Sequence, residues 1–299
     1  MYPLSAFARS TLVAALIAFA GAASAEPTTA RGLRAAFDPG LQRGLEHVVR
    51  DLGLAEEVEA KRLALGLVDV SDAHAPRLAM LNGDEMMYAA SLPKVAILLG
   101  AFAEAERGRF PLDGRRLEAM TNMIRYSNNE DASRVLAWVG EERLIEILQS
   151  DRYRFYDPAG AGGIWVGKNY GKEGAYRRDP VRQLSHGATV FQVARLYHLL
   201  ATDALLSPPL NGLMKAALSN PGIRHKFVKG LERRPGVRIF RKSGTWKDFH
   251  ADSALVEYGD RRYVIVGIAE HPDGGDWLVR LAAPLHDLVV APAQLAAGR

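Results

Sequence analysis

Apolar residues recur along this chain with two periods. Leu41, Leu45, Val48, Val49 and Leu52 share one helical face, which predicts a helix over 41–60. Leu63 to Val70 and Arg77 to Leu81 read as strands, closed by the turn residues Asp69, Ser71, Asp72 and Asn82-Gly83-Asp84. A helix follows from Ser91 to about Arg107, ended by Gly108 and Pro111 to Gly114. Leu117–Arg125, Glu130–Val139 and Glu141–Leu148 are helical, interrupted at Ser127-Asn128-Asn129 and Gly140. Two more helices cover Thr189–Leu200 and Leu210–Leu218. Three strands, Ile239–Trp246, Ala251–Tyr258 and Arg262–Glu270, precede a closing helix over Trp277–Val290.

Strands therefore lie near both ends, with helices between. The simplest assembly is α+β: one antiparallel sheet from both termini, covered by helices, with an all-helical lobe inserted. Residues 26–299 form a single domain in this reading. Its α/β lobe takes about 41–90 and 205–290, and its helical lobe about 91–204. A site is expected in the cleft between the lobes. Residues 151–187 break the pattern, with Gly160, Gly162, Gly163, Gly167, Gly171 and Gly174 beside Tyr153, Phe155, Tyr156, Trp165 and Tyr170. A loop this long is usually functional or disordered, and its aromatics favour a packed loop.

Composition narrows the picture. The chain has 299 residues, 48% hydrophobic and 24% charged, as in ordinary globular proteins. A net charge of +4 and a basic cluster broken by Pro235-Gly236 give no nucleic-acid footprint. No cysteine is present, which excludes disulfides and thiol catalysis. The eight histidines are scattered without metal-ligand spacing, so no metal or other cofactor is expected. His186 and His250 fall near the expected cleft and read as capping or hydrogen-bonding residues. Residues 1–25 read as a signal peptide: Arg9, the apolar run Thr11 to Gly21, and Ala23-Ser24-Ala25 as a cleavage site. The mature product would then be exported, periplasmic or secreted, with no membrane span, and a monomer is expected.

The candidate chemistry begins at Ser91-Leu92-Pro93-Lys94. Helical spacing puts Ser91 and Lys94 on one face, within reach of each other. A serine hydroxyl is a weak nucleophile until a base takes its proton. A lysine can do so only when neutral, which requires burial or a neighbouring cation. A helix start also brings free N–H groups to the serine oxygen. Taken alone, the pair reads first as a helix cap at Ser91 and a solvated charge at Lys94, and the nucleophile reading needs support from the rest of the chain.

Two further motifs follow in order: Ser127-Asn128-Asn129 between helices, and Lys242-Ser243-Gly244-Thr245 on a strand. S-x-x-K, S-x-N and K-[ST]-G in this order resemble the active-site serine penicillin-recognising enzymes, above all class A β-lactamases and related D-alanyl-D-alanine peptidases. The flanks agree: Ser127 to Ala132 runs into the apolar Val135 to Gly140, and Leu205-Leu206-Ser207-Pro208 matches as well. The resemblance spans about residues 41–290.

This resemblance implies roles. Ser91 would attack an acyl carbonyl and carry the acyl group, and Lys94 would accept or relay its proton. Ser127 would pass a proton to the leaving amine, and Asn129 would hold Lys94 and the substrate amide. Lys242 would keep Lys94 partly deprotonated and attract a substrate carboxylate. The N–H groups of Ser91 and Thr245 would form the oxyanion hole, with Ser243 and Gly244 lining the strand edge. The sequence also departs from the family. The gap from Lys94 to Ser127 is short, which predicts an open cleft. Asn128 stands where class A carries aspartate. The E-x-x-L-N motif that positions the deacylating water is absent from 151–187. Glu173 is the only glutamate there, and reads either as the deacylation base or as a solvated loop charge. No arginine lies on Ala251–Tyr258 as a carboxylate clamp; Thr245, Lys247 or Arg241 are the candidates to replace it. The expected substrate is a small molecule or peptide bearing a carboxylate. A β-lactam opened with slow deacylation comes first. An acyl-D-Ala-D-Ala peptide or ester is the alternative, and binding of penicillin or cell-wall peptide without turnover is the third.

Overall fold

The computed structural model describes residues 30–290. The segment read as a signal peptide lies outside the described residues. In chain order the elements are α1 (Ala30–Ala35), α2 (Pro39–Asp51), α3 (Ala55–Glu59), β1 (Leu63–Asp69), β2 (Arg77–Leu81), β3 (Met87–Tyr88), α4 (Lys94–Glu106), α5 (Gly114–Arg125), α6 (Asn129–Val139) and α7 (Glu141–Gln149). Then come β4 (Tyr156–Asp157), β5 (Gly162–Gly163), β6 (Trp165–Val166), β7 (His186–Ala188), α8 (Val190–Ala201), α9 (Pro208–Leu218), α10 (Phe227–Leu231), β8 (Arg238–Trp246), β9 (Phe249–Tyr258), β10 (Arg261–Glu270) and α11 (Gly274–Val290).

The main sheet has the order β2-β1-β10-β9-β8, so the two ends of the chain interleave. All its pairings are antiparallel, with Leu63 opposite Ala269, Arg261 opposite Tyr258 and Lys242 opposite Ser253. Period-two alternation along β1 divides the core. Leu63, Leu65 and Leu67 join Ile265 and Val256 beneath α2 and α11, while Ala64 and Val68 join Val264 and Val266 on the other face. Alpha8 covers that second face, lying against β10, β1 and β9. Gly66 permits the approach: a Cβ there would come 2.6 Å from Val190 Cγ1. Alpha4 is buried from Lys94 through Glu104, which explains why its apolar residues run all round it rather than along one stripe. Its one buried carboxylate, Glu104, is held by Arg107, Arg109 and Arg143.

Three sequence expectations change. The helix expected over 41–60 is two, broken where Gly53 takes φ +70°. The helix expected from Ser91 starts at Lys94, and Ser91 lies in the turn before it, its carbonyl accepting Lys94 N–H at 3.3 Å. Short α10 was not foreseen, since five residues carry too little periodicity to read. The 151–187 segment is packed. Beta6, β7 and β3 form a small sheet, Trp165 Nε1 donates to Arg177 O at 3.1 Å, and Asp179 accepts the N–H groups of Val181 and Arg182.

Gly66→Val should overpack the β1–α8 contact, at a cost of about 1–3 kcal/mol. Differential scanning calorimetry is expected to show the midpoint lowered by about 2–4 °C for each kcal/mol lost.

Candidate active site

Four segments distant in sequence meet at one end of the sheet. The turn at Ser91 comes from β3, the Ser127 loop joins α5 to α6, β8 supplies the strand edge, and residues 168–172 close the remaining side. They enclose a cleft of about 730 Å3. Two residues that lack a glycine's freedom hold the left-handed region here, Ala90 at φ +49° and Ser127 at φ +56°. Each costs on the order of 1–2 kcal/mol. The first turns the chain so that Ser91 faces the cleft, and the second exposes both the carbonyl and the hydroxyl of Ser127 to Lys94.

Lys94 is fully buried at the start of α4. Its Nζ donates to Ser127 O at 2.6 Å and Asn129 Oδ1 at 2.7 Å, with Ser127 Oγ at 3.3 Å. Burial lowers its pKa to about 7. Lys242 approaches Ser127 Oγ from the other side, at 3.0 Å, and also donates to Ser243 O at 2.6 Å. Burial first, then the charges of Lys94 and Arg241, push Lys242 well below the usual ammonium range. The Ser127 hydroxyl is thus shared between two lysines of weakened basicity. Asn128 caps α6 through Oδ1 to Asp131 N at 2.9 Å.

Gly244 sets how closely β8 can pass Ser91. A Cβ there would lie 2.1 Å from Ala89 O and 2.8 Å from Ser91 N. Only glycine lets the strand edge stand beside the serine, and it is this contact that brings Ser91 and Thr245 to one cleft.

The structure thus gathers Ser91, Lys94, Ser127, Asn129, Lys242, Ser243, Gly244 and Thr245. It does not gather Glu173. That residue is exposed and does not line the cleft, and its carboxylate turns back against the Cα of Gly171. Tyr170 instead faces Lys94, its ring 4.4 Å from Nζ. Its backbone N–H donates to Ser133 Oγ at 3.0 Å, and its ring packs at 4.3 Å on His186. Burial pushes the Tyr170 phenol well above its ordinary range and lowers His186 to about 4. His186 is therefore neutral at pH 7, and its Nε2 donates to Lys168 O at 3.0 Å. No Asp or Glu lines the cleft among the described residues.

Arg241, one candidate carboxylate clamp, is taken up by Asp252. Its Nε and Nη2 donate to the two carboxylate oxygens at 2.7 and 3.0 Å, with both side chains buried. Sequence reasoning missed Lys226, at φ +53° in the loop before α10. Its Nζ donates to Gly244 O at 2.5 Å, Thr245 Oγ1 at 2.8 Å and Ala251 O at 3.1 Å. Burial lowers it to about 8. Its neighbours in sequence, His225 and Phe227, carried no motif that could have flagged it.

Comparison with known families decides what this arrangement belongs to: the beta-lactamase enzyme family matches residues 115–287. The chain is a member of that family. It is a β-lactamase-like serine hydrolase. Solved structures agree in fold. A beta-lactamase from Sphaerobacter thermophilus shares 14% identity over 82% of this chain and 96% of its own, with a TM-score of 0.64. PBP-A shares 17%, over 84% and 95%, with a TM-score of 0.62. An ancestral class A beta-lactamase (GNCA) shares 19%, over 80% and 98%, also at 0.62. No curated protein sequence matches the chain.

Replacing Gly244 by alanine is expected to slow covalent labelling of Ser91 by a fluorophosphonate on the order of 100-fold, because the clashing atoms are backbone and displacement near 1 Å is costly to an acyl transfer. Labelling within threefold of wild type would show the strand edge to be more tolerant than the geometry allows.

Proposed function

We propose that this family member is exported, acts as a monomer, and opens β-lactam amides through an acyl-enzyme on Ser91 that deacylates slowly. The observation that carries this is the Ser127 hydroxyl held between two buried lysines, at the cleft that Ser91, Asn129 and Thr245 line. Neutral Lys94 takes the Ser91 proton, directly or by way of Ser127, as Oγ attacks the carbonyl. The Ser91 and Thr245 N–H groups receive the developing oxyanion. Ser127, itself a donor and an acceptor, hands the proton to the departing nitrogen. Asn129 fixes Lys94 and the substrate amide, and Lys242 orients Ser127 and draws in the substrate carboxylate. Among the described residues no helix is long and apolar enough to cross a membrane.

Slow deacylation rests on the face of Lys94 that Tyr170 occupies. Hydrolysis needs a water held and deprotonated within hydrogen-bond reach. Here that neighbourhood offers an aromatic ring and a neutral histidine, with no carboxylate lining the cleft among the described residues. The same observation favours a second reading: an acyl-D-Ala-D-Ala-like peptide or ester as the natural acyl donor, with penicillin trapped as an adduct. An acyl-enzyme with penicillin G has been described for a mutant of PBP-A, a protein of the same fold.

Benzylpenicillin followed by intact mass is expected to give a one-to-one adduct that maps to Ser91, is absent in Ser91→Ala and outlasts its formation by at least tenfold. An adduct elsewhere, or turnover with no adduct in quenched flow, sinks the reading. The pH profile supplies its own check. With Lys94 at about 7, the neutral base is lost as pH falls, so the acylation rate should drop about tenfold per unit below pH 7. A flat rate from pH 7 to pH 5 would remove Lys94 as the base.

A further inference from the structure

The cleft at Ser91 does not end at its far wall. Tyr88, Leu184 and Phe249 line it, and the same residues line a second cleft of about 390 Å3. Two elements of the site put them there. Tyr88 ends β3, three residues before Ser91, and Phe249 opens β9 after the turn that follows Trp246. The rings of Tyr88 and Phe249 meet edge to face at 5.1 Å. Trp246, opposite Phe249 in the β8–β9 pairing, lines the first cleft and is 57% exposed, unusual for an indole. An apolar ligand group lying along these rings would cover surface that the fold leaves wet.

The second cleft differs in chemistry from the first. Its buried lining includes Met86 and Met87, and its exposed lining includes Lys61 and Arg182. Both cations share one carboxylate: Glu85 pairs with Lys61 at 2.9 Å and with Arg182. Arg62, also in the lining, is taken by Glu57 at 2.6 Å. Glu270 is the other acid there, while the first cleft adds Lys168 and Lys172 with no carboxylate among the described residues. Positive charge is therefore in excess along both clefts. The cations are also held in place by the backbone. Lys61 sits in the turn between α3 and β1 at φ +57°, and Arg182 gives its N–H to Asp179 Oδ1 at 2.8 Å.

We propose that the two clefts are one binding site for acyl donors with a long acyl arm, apolar where it crosses the Tyr88–Phe249 pair and ending in an acid group at Lys61 and Arg182. This acid is separate from the carboxylate that Lys242 draws in. The arm leaves the chemistry at Ser91 as it is and sets which acyl group is delivered to it. The assignment deepens the acyl-transfer reading above and rests on it.

The test uses 6-acylaminopenicillanates in pairs of equal chain length, one member ending in methyl and the other in carboxylate: butanoyl with succinyl, hexanoyl with adipoyl, decanoyl with sebacoyl. Second-order rates of Ser91 acylation are read by intact mass at low ionic strength. In wild type the acid-to-methyl rate ratio should rise with length, and for the decanoyl–sebacoyl pair should exceed the butanoyl–succinyl value about threefold, the size of an exposed ion pair. Salt at about 1 M should abolish the rise. Lys61→Glu and Arg182→Glu should each abolish or invert it. Each ratio is taken within one protein, so changes in stability or in the chemistry cancel. A ratio that does not rise with length, or a rise that persists in salt or in either charge reversal, overturns the proposal. Lys61 is exposed in a turn, so Lys61→Glu reads out even where Arg182→Glu does not fold. A fluorophosphonate control separates the two levels: failure of it and of every penicillanate to label Ser91 refutes the acyl-transfer reading, whereas labelling with a flat ratio refutes only the joining of the clefts.

Discussion

Four buried basic side chains around one strand, with Asp252 as the buried carboxylate among them, set the terms on which the rest of the site is built. Lys94, Lys226, Arg241 and Lys242 are each no more than 3% exposed, and Asp252 is completely enclosed. Removing an ammonium from water is expensive unless it is paired or loses its proton. Arg241 cannot deprotonate and takes the carboxylate. The lysines meet the same demand with carbonyl and hydroxyl acceptors and with lowered pKa values. The linkage has a definite sign. Folding lowers the Lys94 pKa from its ordinary 10.5 to about 7, so between those values the unfolded chain binds the proton and the folded chain does not. The folded state therefore gains stability as pH rises across that window. Below it, the full penalty of the buried charge is present. The basicity that an acyl-transfer site needs in Lys94 and the destabilisation the fold must tolerate are one quantity.

The fold had to supply that tolerance elsewhere, and the sheet is where it does so. Both faces of β1 and β10 are buried, one beneath α2 and α11 and the other beneath α8. A strand buried on both faces is a stiff support. Beta8, at the edge of this sheet, is fixed along its length by pairing to β9, and the pairing carries Lys242, Gly244 and Thr245 to defined positions. The strained backbone at Ala90, Ser127 and Lys226 is held against that support.

Much of this was legible in the sequence, and what was missed shares a cause. The S-x-x-K, S-x-N and K-S-G segments carry their own local signals of turn and strand, and these survive in the structure. The long helices and the strands of the main sheet came out within a few residues, because their periodicity extends over many positions. Glu173 misled because a carboxylate in a loop says nothing about which side of the loop it occupies. Tyr170 and Lys226 escaped for the complementary reason. Their importance comes from what tertiary packing brings beside them: Lys94 to the tyrosine, Thr245 to the lysine. An aromatic residue in a glycine-rich loop and a lysine after a histidine have no local pattern to betray either contact.

The cleft also bears on how the chain reaches its native state. Ser91, Ser127, Tyr170 and Lys242 lie in four segments, and the sheet beneath them pairs residue 63 with residue 269. Contacts this far apart in sequence close late and slowly, because each demands the loop entropy of the chain between them. No partly folded form holding only the helical segments would own a reactive serine, since β8 arrives with the last strands of the sheet. In a growing polypeptide, Ser91 would thus stay inert until the C-terminal strands had been made and docked. If Ser91 is acylated as proposed, its labelling would report on completion of the whole fold.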